Sequence, residues 1–256
     1  MAAVTSAPFL PRRLDQAFKR MGARSAADRS LFAASLSNPA YTAYFDDFIG
    51  QTAGTWPASA NWGYPATVGT NTEVIGIKAG AVGGQLSIAT AGASNDSAYQ
   101  SVGLHWNGTR NFYYIAKFQI DIITTLKFEA GMVDSITTNG AVNAKATPTF
   151  NMTTGAVVIF DTSDDTNISF ITATGGTVGA NVDHAQVSLV AATDIIVEIV
   201  GSGGTATGYV NGIPFPGGGG AITAATALTP YIGITTRSAE VKTMLVDYMG
   251  AIGPRG

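Results

Sequence analysis

Residues 110–121, RNFYYIAKFQID, place Phe112, Tyr114, Ala116, Phe118 and Ile120 at every second position, with Lys117 and Gln119 between them. Successive side chains of a strand point to opposite faces, so this stretch predicts a strand with one face on a core. A helix would need its apolar residues three and four apart. Working outward, comparable short segments recur: VIGIKA, GQLSIATA and SAYQSVGL before it. After it come LKFEAGMV, AVVIF, NISFITA, AQVSLVA, DIIVEIV, ATGYV, PYIGITT and TMLVDYM. Gly, Asn, Asp, Pro or Ser clusters separate most of them. About 12 short strands with turns every ~8–15 residues predict a two-sheet antiparallel sandwich. No helical run interrupts them, which argues against a parallel α/β sheet. No repeat of fixed period suggests a solenoid or propeller. In YVNGIPF, Asn211-Gly212 supplies the two positive-φ positions of a type I′ hairpin turn. The GGGG at 217–220 reads as a flexible or closely packed loop.

Composition bounds the rest. The 256 residues suit one large all-β domain plus an extension. Apolar residues make up 46% of the chain and charged residues 12%, so the surface draws its polarity from Thr, Ser, Asn and backbone. Such a surface often lies against another subunit. There is no cysteine, which excludes disulfides and thiolate metal sites. The N-terminus lacks the apolar core of a secretory signal, and no window approaches a membrane span. These features suggest a protein made in a cytoplasm.

The net charge of −3 hides an asymmetry. Residues 1–40 carry six basic groups against two acidic ones, a net of +4; residues 41–256 carry eight against fifteen, a net of −7. The acidic body is a poor candidate for nucleic acid. In FLPRRLDQAFKRMGAR, residues 9–24, Leu10, Leu14, Phe18 and Met21 form one helical stripe, with Arg12, Arg13, Lys19 and Arg20 around the other side. Pro11 suits a first turn and Gly22 an end. A second helix would start at Ser25, carry Leu31, Phe32 and Leu36, and stop at Asn38-Pro39. Residues 1–40 thus read as a short α-helical arm and 41–256 as the β-domain. The arm could pack on the body, lie on a membrane surface or dock onto a partner. Partner docking is the expectation taken forward, through Leu10, Arg12, Arg13, Leu14, Phe18, Lys19, Arg20 and Met21. Burying the four apolar side chains could contribute roughly 6–10 kcal/mol gross, before ordering costs.

FDDFIG near residue 45, the loop with Trp56 and Trp62, GYVNG, LTPYIGITTR and the last strand TMLVDYMG together resemble the concanavalin-A/laminin-G-like jelly roll. They are similar in particular to jelly-roll structural proteins of tailed bacteriophages, over roughly residues 42–253 and without the arm. The resemblance implies an all-β, two-sheet antiparallel jelly-roll sandwich. It also implies a role among capsid decoration proteins, head fibres, tail fibres or baseplate parts.

Glycoside hydrolysis needs two carboxyls about 5–9 Å apart. The chain has four Glu residues, Glu73, Glu129, Glu198 and Glu240, none with an acidic residue two positions away. Asp134 falls on the face opposite Glu129, and Glu198 in DIIVEIV falls on the outer face of its strand. Asp161, Asp164 and Asp165 in DTSDDTN hint at a Ca²⁺ site but equally suit a hairpin turn. His105 and His184 lack the spacing of a zinc site. No Gly-x-Ser-x-Gly elbow or phosphate-binding loop occurs. Four glycosylation sequons, Asn107-Gly108-Thr109 among them, are attributed to chance in a non-secreted chain. Trp56, Trp62, Tyr64 and Trp106 are either sugar-stacking platforms or plugs of the sandwich ends.

These readings converge on a non-enzymatic virion protein without cofactor, a capsid-surface decoration or head-fibre protein anchored by its arm. A homo-oligomer is expected, a trimer by analogy with phage appendages. The alternatives are a tail-fibre or baseplate lectin module for host surface glycans, with Trp56, Trp62 and Trp106 as its site, and a glycan-degrading jelly-roll enzyme.

Overall fold

The structure, a computed structural model, describes residues 41–46, 48, 54–55, 66–68, 73–80, 84–103, 106–222 and 225–254. The arm of residues 1–40, with all eight of its docking candidates, lies outside these, as do Trp56, Trp62, Tyr64 and His105. In chain order the strands are β1 (Tyr41–Asp46), β2 (Gly54–Thr55), β3 (Ala66–Val68), β4 (Val74–Ile77), β5 (Leu86–Ala89), β6 (Ser97–Ser101) and β7 (Trp106–Asn107). Then come β8 (Phe112–Ile120), β9 (Leu126–Val133), β10 (Val142–Ala144), β11 (Thr149–Phe150), β12 (Gly155–Asp161), β13 (Ile168–Thr174) and β14 (Thr177–His184). The last are β15 (Ile195–Ser202), β16 (Thr205–Val210), β17 (Ile213–Pro214), β18 (Gly220–Ala221), β19 (Ala227–Thr236) and β20 (Thr243–Pro254).

Two antiparallel sheets face each other. One has ten strands in the order β17-β16-β15-β8-β20-β5-β4-β2, with β1 beside β20 and β18 beside β16. The other has eight, β14-β13-β12-β9-β19-β6-β3, with β7 beside β19. β10 and β11 form a separate hairpin. This is the predicted two-sheet jelly-roll sandwich.

The alternation of residues 112–120 explains how the sheets meet. Phe112, Tyr114, Ala116, Phe118 and Ile120 all enter the main core, and Lys117 and Gln119 face outward. From the opposing sheet come Leu126, Phe128, Ala130 and Met132 of β9. Phe118 meets Phe128 edge-on at 5.2 Å, and Phe128 stacks on Phe160 at 6.0 Å. The buried Tyr114 hydroxyl donates to the Tyr231 carbonyl at 2.9 Å and so ties the two sheets together.

Hairpins close where residues tolerate positive φ. Asn211 (47°) and Gly212 (81°) turn β16 into β17 as the sequence predicted. The Gly run ends in a packed position: a Cβ on Gly220 would sit 2.2 Å from Thr172 Oγ1.

Two expectations are corrected. AQVSLVA, residues 185–191, is a loop rather than a strand, with Val190 exposed. The strand there is its predecessor β14, whose largely exposed Thr, Gly, Asn and Asp pattern suits a sheet edge. Trp106 is no loop platform. Its ring is buried in the main core because β7 pairs with the start of β19.

Candidate functional site

β9 is buried at all eight positions although only alternate residues reach the main core. Lys127, Glu129, Gly131 and Val133 therefore point to the outer face of the eight-stranded sheet, and something covers that face. The cover is the excursion from Asp134 to Thr154 between β9 and β12, which carries the β10–β11 hairpin. Ala141, Val142 and Met152, with Phe150 at the side, pack on Tyr99, Val157, Ile159, Ile171 and Tyr231 to make a second apolar layer.

Within that layer sits a polar cluster. Glu129 is fully buried and forms a 2.8 Å ion pair with the equally buried Lys127. Its carboxylate accepts from the backbone amides of Ala141 (2.8 Å) and Val142 (3.3 Å) and from the Tyr231 hydroxyl (2.8 Å). Lys127 donates to the carbonyls of Asn139 (2.5 Å) and Val142 (2.7 Å). Both charges are thus satisfied by the loop that buries them, as an ion pair out of water requires. Gly140 makes the close approach possible. Its φ is 84°, and a Cβ there would lie 2.6 Å from both Glu129 oxygens and from the Tyr99 hydroxyl. Burial, and then the Glu129 charge, push the phenols of Tyr99 and Tyr231 well above their ordinary pKa. Asp134 pins the ends of the excursion, accepting from the amides of Thr153 (2.9 Å) and Thr154 (3.0 Å).

At the margin of this face lies Asp161, opposite Lys127 in the sheet. Arg237 grips its carboxylate through Nε (3.0 Å) and a second nitrogen, and Ser163 donates at 2.8 Å. Burial alone would raise the Asp161 pKa, but the Arg237 bonds and charge outweigh it and hold it below the carboxylate range. Its neighbours in the sequence are spent separately. Asp164 accepts from the amides of Lys145 (2.7 Å) and Ala146 (3.1 Å). Asp165 pairs with the buried Lys145 and receives the Asn167 amide at 2.7 Å. The three carboxylates of the Ca²⁺ candidate therefore hold three different groups and do not converge. Among the described residues no cluster of His, Cys, Asp or Glu is arranged to hold a metal.

Sequence reasoning missed the juxtaposition of Glu129 and Asp161. They occupy one face of adjoining strands at a diagonal, with Cα atoms roughly 7–8 Å apart by ideal sheet geometry. Local spacing could not show it, because the two lie on different strands. The sequence itself shows only Lys127 and Glu129 two positions apart within LKFEAGMV, the pattern of an ordinary outward face.

On the other sheet, Glu198 does face outward, yet it is only 7% exposed. The Tyr113 hydroxyl donates to it at 2.6 Å. Beside it Lys117 bridges Asp194 and Asp247, each at 2.9 Å. Burial lowers the Lys117 pKa, but the bonds to the two carboxylates more than reverse this and raise it. Glu240 is exposed and pairs with the buried Lys242 at 2.7 Å. His184 is buried edge-on against Phe215 at 4.9 Å. At one end of the sandwich a cleft of about 410 Å³ lies among Ile123, Thr125, Phe160, Thr162, Ser188 and Leu189.

No family model and no curated protein match the sequence. Solved structures do match in fold. SCLam, a non-specific endo-β-1,3(4)-glucanase of family GH16, aligns with TM-score 0.54 and 12% identity over 85% of this chain and 93% of its own. Peanut lectin gives 0.53 and 9% identity over 84% and 98%. The carbohydrate recognition domain of Emp47p gives 0.53 and 7% identity over 82% and 94%. At such identities the likeness is one of fold: this chain is a concanavalin-A/lectin-like jelly roll.

Proposed function

We propose that the protein is a non-enzymatic virion protein, a jelly-roll body displayed on a capsid surface as a decoration or head-fibre protein and held by its N-terminal arm. The observation that carries the non-catalytic part is the state of Glu129. A general acid or base must reach substrate. This carboxylate is sealed beneath residues 139–142, with Lys127, Tyr231 and two backbone amides bound to it. Asp161, the carboxylate diagonal to it, is held by Arg237. The virion part rests on the sequence resemblance and on the basic arm ahead of an acidic body. Assembly would be homo-oligomeric and, by analogy, trimeric, with synthesis in the host cytoplasm.

The test is co-sedimentation of the full chain with purified empty capsids, alongside a variant with Arg12→Glu and Lys19→Glu. Retention of the parent and loss of the variant is the expected result. Equal retention of both, or of neither, removes the arm as anchor. Hydrolysis or elimination on a glycan panel that Glu129→Gln abolishes would make the protein an enzyme.

A second reading, a module that recognises host-surface glycans, is favoured by the fold shared with peanut lectin and the Emp47p domain and by the hydroxyl-lined end cleft. Its site would not include the buried Trp106; Trp56 and Trp62 stay its candidates. Binding on a glycan array that Trp62→Ala removes, while Thr162→Ala spares it, would place the sugar at the tryptophan loop. The reverse pattern would place it in the cleft.

A further inference from the structure

The outer face of the ten-stranded sheet carries side chains that an open sheet face does not bury. Ile115 is 0% exposed, Ile252 1% and Tyr248 3%. All three alternate with residues of the main core and belong to neither apolar cluster. Register brings them together. Ile115 lies opposite Glu198 and Gly250, Tyr113 opposite Ile252, and Lys117 opposite Tyr248. The result is one continuous patch across β15, β8 and β20. No described strand lies over it: the opposing sheet contacts these strands from the core side. The patch is apolar and aromatic at its centre, where the Tyr113 hydroxyl donates to Glu198, and beside it Lys117 bridges Asp194 and Asp247, so the described groups there are net acidic.

We propose that this face is the seat of the chain's own N-terminal helix, residues 9–22, docked in cis with Leu10, Leu14, Phe18 and Met21 against Ile115, Tyr248 and Ile252. Three observations select this occupant. The first is location. Residue 40 precedes β1, and Tyr41 pairs with Pro254 on β20, the strand that carries Tyr248 and Ile252. β1 therefore begins at the edge of the patch, and the ~18 residues that would join the helix to it are long enough, at ~3.3 Å per residue, to reach back over the patch. The second is size. A 14-residue helix is about 21 Å long, close to the roughly 20 Å from β1 through β20, β8 and β15 to β16 at ~4.8 Å spacing, and so covers the patch and the strand on either side of it. The third is charge. At about 100° per residue Arg13 and Arg20 fall about 60–80° beyond one edge of the apolar stripe, the basic pair nearer the sheet in such a docking, while Arg12 and Lys19 lie farther round. The basic residues that remain outward are then the ones available to a partner. The seat does not depend on the virion reading.

The cysteine-free chain permits a direct test. Val200 lies on the patch side and is 38% exposed, so Val200→Cys leaves the core untouched. It is paired in the full chain with Ala17→Cys, at the edge of the stripe, and treated with a bis-maleimide of about 10 Å span. Val178, 42% exposed on β14 of the other sheet, supplies the control as Val178→Cys with Ala17→Cys. The expected product is an intrachain cross-link with position 200 and little with position 178. Reversing Arg13 and Arg20 to Glu should lower its yield about fivefold, the effect of two partly exposed ion pairs, and reversing Arg12 and Lys19 should not. A covalent dimer would overturn the cis assignment in favour of an arm exchanged between copies. Equal yields at both positions, or none, would overturn the seat. Capsid and glycan binding are read in separate assays, so those readings can fail while the seat stands.

Discussion

On the outer face of the eight-stranded sheet Lys127 and Glu129 are buried beneath residues 134–154; on that of the ten-stranded sheet Ile115 and Glu198 are buried with no described strand above them. The first cover grows from the strand it covers, leaving β9 at Asp134 and returning into the neighbouring β12. Such a loop can place its own amides and carbonyls on particular atoms. It can therefore bury two full charges, because each finds several partners. The second face is mostly apolar: Glu198 is held there by the Tyr113 hydroxyl, while Lys117, Asp194 and Asp247 stay partly exposed. A cover over such a face is separable from the sheet. The first face is thus expected to behave as part of the fold, and the second as an interface.

Breaking the first face should cost most. Glu129→Ala leaves Lys127 buried without its counter-charge and strips the acceptor from two amides and the Tyr231 hydroxyl. The expected loss is about 3–5 kcal/mol in denaturant unfolding. If the loss were below about 1 kcal/mol, the clamp would be ornamental and the face could open for chemistry.

Asp161 sharpens the contrast through pH. Its folded pKa is depressed by Arg237 against the opposing effect of burial. Its contribution is therefore complete above the unfolded value of about 4 and is lost as pH falls through the lower folded value. Asp161→Asn should destabilise by about 2–3 kcal/mol at neutral pH and flatten the acid limb of the stability profile. Asp165 and Asp194 are also held low, but both side chains are more than a third exposed, so solvent screens their share. An acid limb unchanged in Asp161→Asn would move the acid sensitivity elsewhere.

Gly140→Ala attacks the cover instead of the charges. It forces an Ala into φ 84° and pushes a methyl toward Glu129 and Tyr99. About 2 kcal/mol is expected, with faster amide exchange confined to residues 134–154. Exchange that also rose on β15 and β20 would mean that the two outer faces are coupled.

The sheets were readable from sequence because their signal is local. Period 2 in residues 112–120, and the Asn-Gly dipeptide at 211–212, each work within a few residues. The same locality misled at AQVSLVA, whose alternation matches a strand although no partner strand is there. It also hid β14, whose edge position needs no apolar face. The Glu129 cluster was out of reach for another reason. Its members Tyr99, Lys127, Ala141 and Tyr231 meet only through the pairing of β9 with β19 and β19 with β6. Trp106 failed likewise, since its Gly- and Asn-rich neighbours resemble a loop while its burial comes from β19.

The smallest effect belongs to the β16–β17 turn, remote from the clamp. Asn211 has φ 47°, and its side chain accepts the Ile196 amide at 2.8 Å. Asn211→Ala keeps neither the tolerance for positive φ nor that bond, and about 1 kcal/mol should be lost. Asn211→Gly restores the backbone freedom alone, so the difference between the two variants measures the turn strain and the remainder the hydrogen bond. The turn closes an edge hairpin of the ten-stranded sheet, and Tyr209 on β16 lies opposite Glu198 in the patch row. If the helix seat spans that row, loosening the turn should lower the cross-link between positions 17 and 200 together with stability. If the seat is confined to β8 and β20, stability should fall and the cross-link should not.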